Sequence, residues 1–220
     1  MTTSRLEAFS DGVFAIAITL LVLEFSVDAA TNDLGKELVH IWPSYLAYAT
    51  SFLTIGVIWV NHHSLFNYVA HVDRALLFIN TLLLLVVAFT PFPTRLIAEF
   101  LRESDNERTA ALTYGIVFVI MAVIFQILWR WMSTGRRLIR PEIPQEEIDD
   151  ITRTFLPGIP IYLGATLVAL VSPLASIHTK TVALIAIRQI VMSGVGTCSI
   201  VPERRSSAQT RMPTAGTSTR

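Results

Sequence analysis

Charge and cysteine are what this sequence has least of. Of its 220 residues only 15% are charged, 17 Lys and Arg stand against 17 Asp and Glu, and Cys198 is the single cysteine. One cysteine excludes a disulfide framework. A net charge of zero removes the electrostatic basis for binding nucleic acid. A content of 52% hydrophobic residues excludes a disordered chain. No G-x-S-x-G, phosphate-loop or H-E-x-x-H string occurs. Five histidines are too few for the separate histidine boxes of a membrane di-iron enzyme. No similarity links residues 1–110 to 111–220, as the internal repeats of secondary transporters would require. These absences argue against an enzyme and imply no cofactor and no metal. What the chain does have is long apolar runs, which define an integral membrane protein whose immediate partner is the lipid bilayer.

Crossing a hydrocarbon core takes about 20 residues of helix. Six all-α spans are expected, at about 5–27, 40–61, 72–96, 109–132, 155–177 and 181–201, making 1–201 one transmembrane domain. The sixth carries Arg188 in mid-span, which is costly at membrane depth unless the charge is paired. The Ser-, Thr-, Arg- and Pro-rich stretch 202–220 reads as a disordered tail. The opening lacks a basic n-region and a small-residue cleavage site, so it does not read as a cleavable leader. With the N-terminus inside, inner segments hold eleven Lys and Arg and outer loops five. Both termini are therefore expected in the cytoplasm, with Arg136, Arg137 and Arg140 as orientation determinants and headgroup contacts. Trp42, Trp129 and Trp131 fall at span ends, where interfacial aromatics belong.

The first span is the informative one. Its uninterrupted apolar run, Gly12 to Leu23, is too short for a purely lipid-facing helix, so Ser10 and Asp11 must face protein or water. At about 100° per residue, Ile16, Leu20 and Leu23 share one stripe, with Phe9 on the same side and Thr19 at its border. Ser10 and Asp11 project more than about 100° away from that stripe. By geometry alone such an aliphatic stripe is ordinary helix packing.

The string Arg5-x-x-x-Phe9-Ser10-Asp11 resembles the RxxxFSD signature of the TMEM175 family of potassium channels. The resemblance extends to Trp59-x-Asn61-His62-His63-x-Leu65-Phe66, which closes the second span. It extends further to Asn80, the run Leu82 to Leu85, and Phe89-x-Pro91-Phe92-Pro93-Thr94. It covers about 5–176 and departs beyond, where His178, Lys180 and Arg188 interrupt the last span. The resemblance implies six-helix subunits assembled as a homotetramer, the first helix of each lining a central pore for potassium ions. Vertebrate members carry two six-helix repeats, and one copy here fits four chains. Selectivity in the family does not use a carbonyl filter, and this chain has no TVGYG-like string. By position after Asp11, the constriction falls on Ile16, with Leu20 and Leu23 above it and Thr19 beside it. Thr19 offers either partial coordination or a bond back to a carbonyl one turn earlier.

The polar residues then take a structural role. Ser10 and Asp11 are expected to meet Trp59, Asn61, His62, His63 and Asn80 at the inner ends of the second and third spans, clamping the pore helix. Arg5 is expected as a further charge partner. Alternatives stay open: a proton channel or leak of the same fold, a secondary transporter, or an enzyme built on His62, His63, His71 and Asp73. Against the last, adjacent histidines on a helix point about 100° apart and do not share one ion. The expected location is the cell membrane.

Overall fold

The computed structural model describes residues 2–27, 32–100 and 106–171, which are helical apart from loops and one isolated β-bridge. In chain order the helices are α1 (Thr3–Leu20), α2 (Leu34–His40), α3 (Trp42–Phe66), α4 (Arg74–Phe89), α5 (Pro91–Phe100), α6 (Glu107–Ser133), α7 (Gln145–Phe155) and α8 (Gly158–Val171). Among the described residues four stretches are long and apolar enough to cross a membrane: Thr3–Glu24, Trp42–Phe66, Arg74–Phe100 and Glu107–Arg136. They coincide with the first four expected spans, but their ends differ for identifiable reasons.

α1 tightens into a 3₁₀ turn over Leu21–Glu24 and Phe25 is extended, so the expected end at Val27 lies beyond the helix. α3 runs past the expected end at Asn61 to Phe66, since no Gly or Pro interrupts the last turn. The third span is broken rather than straight. Pro91 has no N–H to give Val87, and the Thr90 N–H takes that carbonyl instead at 3.1 Å. The Val86 carbonyl thereby released accepts the Thr90 hydroxyl at 3.2 Å. The chain resumes as α5 and continues to Phe100, beyond the expected Leu96.

The expected fifth span, 155–177, begins differently from the reading above. α7 is a separate amphipathic helix that buries Ile148 and Ile151 and turns Glu146, Asp149 and Asp150 outward, and α8 starts at Gly158 after Pro157. The end of the fifth span, the sixth span 181–201, and the tail 202–220 lie outside the described residues.

α1 packs on α3 and α4, and α6 packs on α4, α5 and α8. The buried stripe of α1 is Leu6, Ser10, Phe14 and Ala17, continued by Leu21 in the 3₁₀ turn, at the three- and four-residue steps that one helix face demands. Lipid tails are as apolar as leucine, so exposed Phe78 and Leu85 on α4 carry no penalty in a bilayer. Helix association there depends on close packing and on hydrogen bonds between helices. Gly115 of α6 allows one close approach, to α8. A Cβ at that position would lie 2.5 Å from the Thr166 hydroxyl oxygen of α8.

Two loops tie the ends of the helices together. Ala70 N–H donates to the Leu138 carbonyl at 2.7 Å and Arg140 N–H to the Tyr68 carbonyl at 2.9 Å, flanking the Val69–Ile139 bridge. The α3–α4 and α6–α7 connections therefore share one face of the molecule. Trp131 donates to the Asp73 carboxylate at 3.2 Å there, and the Arg137 guanidinium lies 5.6 Å from the Trp131 ring centroid. Arg136 donates to the carbonyls of Pro141 and Ile143, so it shapes its own loop rather than reaching only for headgroups. Trp129 corrects the interfacial reading of its aromatic: it is fully buried, and its indole N–H donates to the Thr152 hydroxyl at 2.9 Å, holding α7 against α6.

Candidate functional site

The buried face of α1 meets α3 and α4 through a directed chain of hydrogen bonds. The His62 imidazole Nε2 lies 2.7 Å from the Asn80 carbonyl oxygen, and the Asn80 amide donates to Ser10 Oγ at 3.0 Å. Ser10 in turn donates to the Leu6 carbonyl at 2.9 Å, one turn back along α1. With the Asn80 oxygen accepting, Nε2 of His62 carries the proton. Ser10 and Asn80 are fully buried and His62 is 1% exposed, so every member depends on its neighbour for a partner. Serine fits at this crossing because a larger side chain would hold α1 away from α4.

A second tie runs beside the first. Trp59 donates its indole N–H to Asp11 Oδ1 at 2.8 Å, a charge-assisted bond from α3 to α1. Rings surround the cluster. Phe14 lies 5.4 Å from the His62 ring, Phe66 stacks on it at 4.4 Å, and His63 stacks on Trp59 at 6.1 Å.

Ser10, Asp11, Trp59, His62 and Asn80 are thus brought together, with His63 joined through its ring. Asn61 is not part of the cluster: it lies on another side of α3 and lines a cavity against α6 and α8. Its place one residue before His62 carries it about 100° around the helix. Arg5 is exposed and forms no ion pair among the described residues, so the expected charge partnership with the cluster is not seen there. Among the described residues no group of three or more His, Cys, Asp or Glu is placed to hold a metal ion. Asp73 caps α4, accepting from the Leu76 N–H at 2.7 Å.

On the other side of α1 the stripe is exposed, with no cover among the described residues. Phe9 is 56% exposed, Ile16 61%, Leu20 38% and Leu23 72%. Thr19 donates to the Ile16 carbonyl at 2.9 Å, the local back-bond, which leaves only its oxygen lone pairs for another partner.

Sequence reasoning missed the aromatic lining from Phe14 and Phe66, whose apolar character signals only burial. It also missed a hydroxyl network toward the opposite end: Ser51 Oγ lies 2.8 Å from Thr94 Oγ1 and 3.2 Å from the Tyr114 hydroxyl. Hydroxyl residues inside apolar spans are its one sequence trace.

This arrangement defines a class: a polytopic helical membrane protein whose first helix is hydrogen-bonded to its neighbours through buried polar residues. A family model described as "Endosomal/lysosomal potassium channel TMEM175" matches residues 5–91. A potassium channel of Chamaesiphon minutus is 46% identical over 174 residues, covering 77% of this chain and 85% of the relative. A potassium channel of Streptomyces collinus is 52% identical over 143 residues, covering 64% of this chain and 69% of the relative. The crystal structure of a lysosomal potassium-selective channel TMEM175 homolog from Chamaesiphon minutus superposes with a TM-score of 0.77. It is 41% identical, and the match covers 87% of this chain and 97% of that one. The chain belongs to the TMEM175 family.

Proposed function

We propose that this protein is a potassium channel in which four copies of the chain, each with six membrane helices, place α1 around a central pore. The names of its relatives supply the class of activity. One observation supports the choice of residues: the hydrogen-bonded face of α1 packs on α3 and α4, and Ile16, Leu20 and Leu23 are exposed. A helix bathed in lipid has no need of a fixed rotation, whereas a pore-lining helix must aim one face at the axis. The Ser10–Asn80–His62 chain and the Asp11–Trp59 bond act as the clamp that provides this aim.

Four Ile16 side chains then form a ring that offers a permeating ion no oxygen. A cation has to shed part of its hydration shell there, and potassium does so at lower cost than sodium, which favours potassium. A small change in ring radius separates a wetted from a dewetted pore, so the same ring serves as gate. Thr19 adds hydroxyl oxygens beside the ring. The face carrying the N-terminus, α7 and the Arg130–Arg140 cluster is assigned to the cytoplasm by its excess of arginine, in the cell membrane.

The test is reconstitution of the full chain in liposomes, with potassium, sodium and proton flux measured separately. Potassium flux well above sodium flux is expected. Ile16→Asn should let sodium through and lower the potassium-to-sodium ratio several-fold. An unchanged ratio places the pore elsewhere. Proton flux without potassium flux would reassign the channel to protons, and intact oligomers with no cation flux would refute the channel itself.

A further inference from the structure

Asn61 belongs to the signature string of the second span, yet the clamp does not use it. Its side chain is 8% exposed and makes no hydrogen bond among the described residues. A buried amide without a partner is costly, and such a group in a native protein calls for a specific explanation. Asn61 lines a cavity of about 50 Å³ between α3, α6 and α8, with Phe118 and Met121 buried in its wall. Among the described residues its other polar side chains are the Gln126 amide of α6 and the Tyr162 hydroxyl of α8, and neither makes a hydrogen bond there. Gly158 lines the cavity too and opens α8, so its N–H has no carbonyl within that helix to bond.

Polar side chains from three helices thus line one space that is too small for most organic ligands. It is larger than the roughly 10–15 Å³ that one water needs. A buried water makes about two to four hydrogen bonds, and Asn61, Gln126 and Tyr162 together offer both donors and acceptors for them. A bridging water is nearly as good in enthalpy as a direct bond. We propose that this cavity is a site for ordered water, hydrogen-bonded to the Asn61 amide and bridging it to Gln126 and Tyr162. The bridge serves the side of α3 that the clamp does not reach. Trp59 and His62 hold α3 directly to α1 and α4, and water carries a tie from Asn61 to α6 and α8. The site lies apart from the pore stripe on α1, so it stands whether or not Ile16 forms the constriction.

The test is X-ray hydroxyl-radical footprinting of the full-length protein in liposomes, with oxidation mapped by peptide mass spectrometry. The radical forms where a water is bound, so side chains beside buried water are oxidised even when bulk solvent does not reach them. Met121 is 2% exposed and on the cavity wall, whereas Met132 is 0% exposed and away from it. Met121 should be oxidised several-fold faster than Met132, and Tyr162 should be oxidised as well. A radical scavenger in the buffer should slow oxidation of the exposed Trp131 and leave Met121 unchanged. Asn61→Leu, which removes the amide and keeps the volume, should cut the Met121 rate several-fold in protein that elutes as the parent does. Gln126→Leu should lower that rate too, and it carries the test if Asn61→Leu does not assemble. Three outcomes would overturn the proposal: Met121 oxidised no faster than Met132, a scavenger that slows Met121 as much as Trp131, or a Met121 rate that the assembled variants leave unchanged.

Discussion

Replacing Asn80 with leucine tests the clamp at its centre. Asn80 bonds Ser10 and His62 at once, and all three side chains are 0–1% exposed. Interhelical hydrogen bonds within a bilayer contribute about 0.6 kcal/mol each on average and up to about 1.7 kcal/mol. Losing two therefore costs about 1–3 kcal/mol. The His62 N–H is then stranded at 1% exposure, which adds about 1 kcal/mol or more. Asn80→Leu should destabilise by about 2–4 kcal/mol, roughly thirtyfold or more in the folding equilibrium. Ser10→Ala should cost about 1–2.5 kcal/mol, because it removes one of the two bonds and leaves the buried Asn80 amide N–H without its acceptor. Ser10→Ala placed on Asn80→Leu should add about 0.5 kcal/mol or less, since its partner on α4 is already gone. Adding His62→Phe to Asn80→Leu should restore about 1 kcal/mol, because an apolar ring has no donor to strand. The assay is SDS titration of the protein in mixed micelles, followed by circular dichroism. Asn80→Leu indistinguishable from the parent protein, or strict additivity with Ser10→Ala, would refute the clamp.

Other consequences follow from the same packing. Asp11→Ala and Trp59→Phe should each destabilise by about 0.5–2 kcal/mol and combine less than additively, and both should erode potassium selectivity in the flux assay. Gly115→Ala puts a methyl 2.5 Å from the Thr166 hydroxyl oxygen, forcing α6 and α8 apart at a cost of about 1–3 kcal/mol. Thr166→Ala on that background should raise the melting temperature back toward the parent value. Trp129→Ala should cost about 3–5 kcal/mol and expose Gln145–Phe155 to limited proteolysis. Unchanged cleavage of that helix would show that Trp129 does not hold it.

Much of this molecule is readable before any coordinates. Apolar run length located Thr3–Glu24, Trp42–Phe66, Arg74–Phe100 and Glu107–Arg136 to within a few residues, because hydrocarbon thickness is a one-dimensional constraint. The stripe of Ile16, Leu20 and Leu23 followed from helical period alone, and all three are exposed in the single chain. The pairing of Ser10, Asn80 and His62 was legible only as a shared membrane face; which atom bonds which was not.

Tertiary structure decided the rest, wherever the outcome depends on which face of one helix meets another. Asn61 and His62 are adjacent in sequence and equally polar, yet one lines a cavity and the other joins the clamp, because about 100° of rotation aims them at different helices. Trp129 sits at a span end like an interfacial anchor, but α7 folds back over it and Thr152 takes its N–H. The sequence by itself determined a helical membrane protein with one aliphatic stripe on its first span. Only the packing of α3 and α4 against α1 decided that this stripe is the face left uncovered, because a helix can turn its back to its neighbours only after other contacts have fixed its rotation.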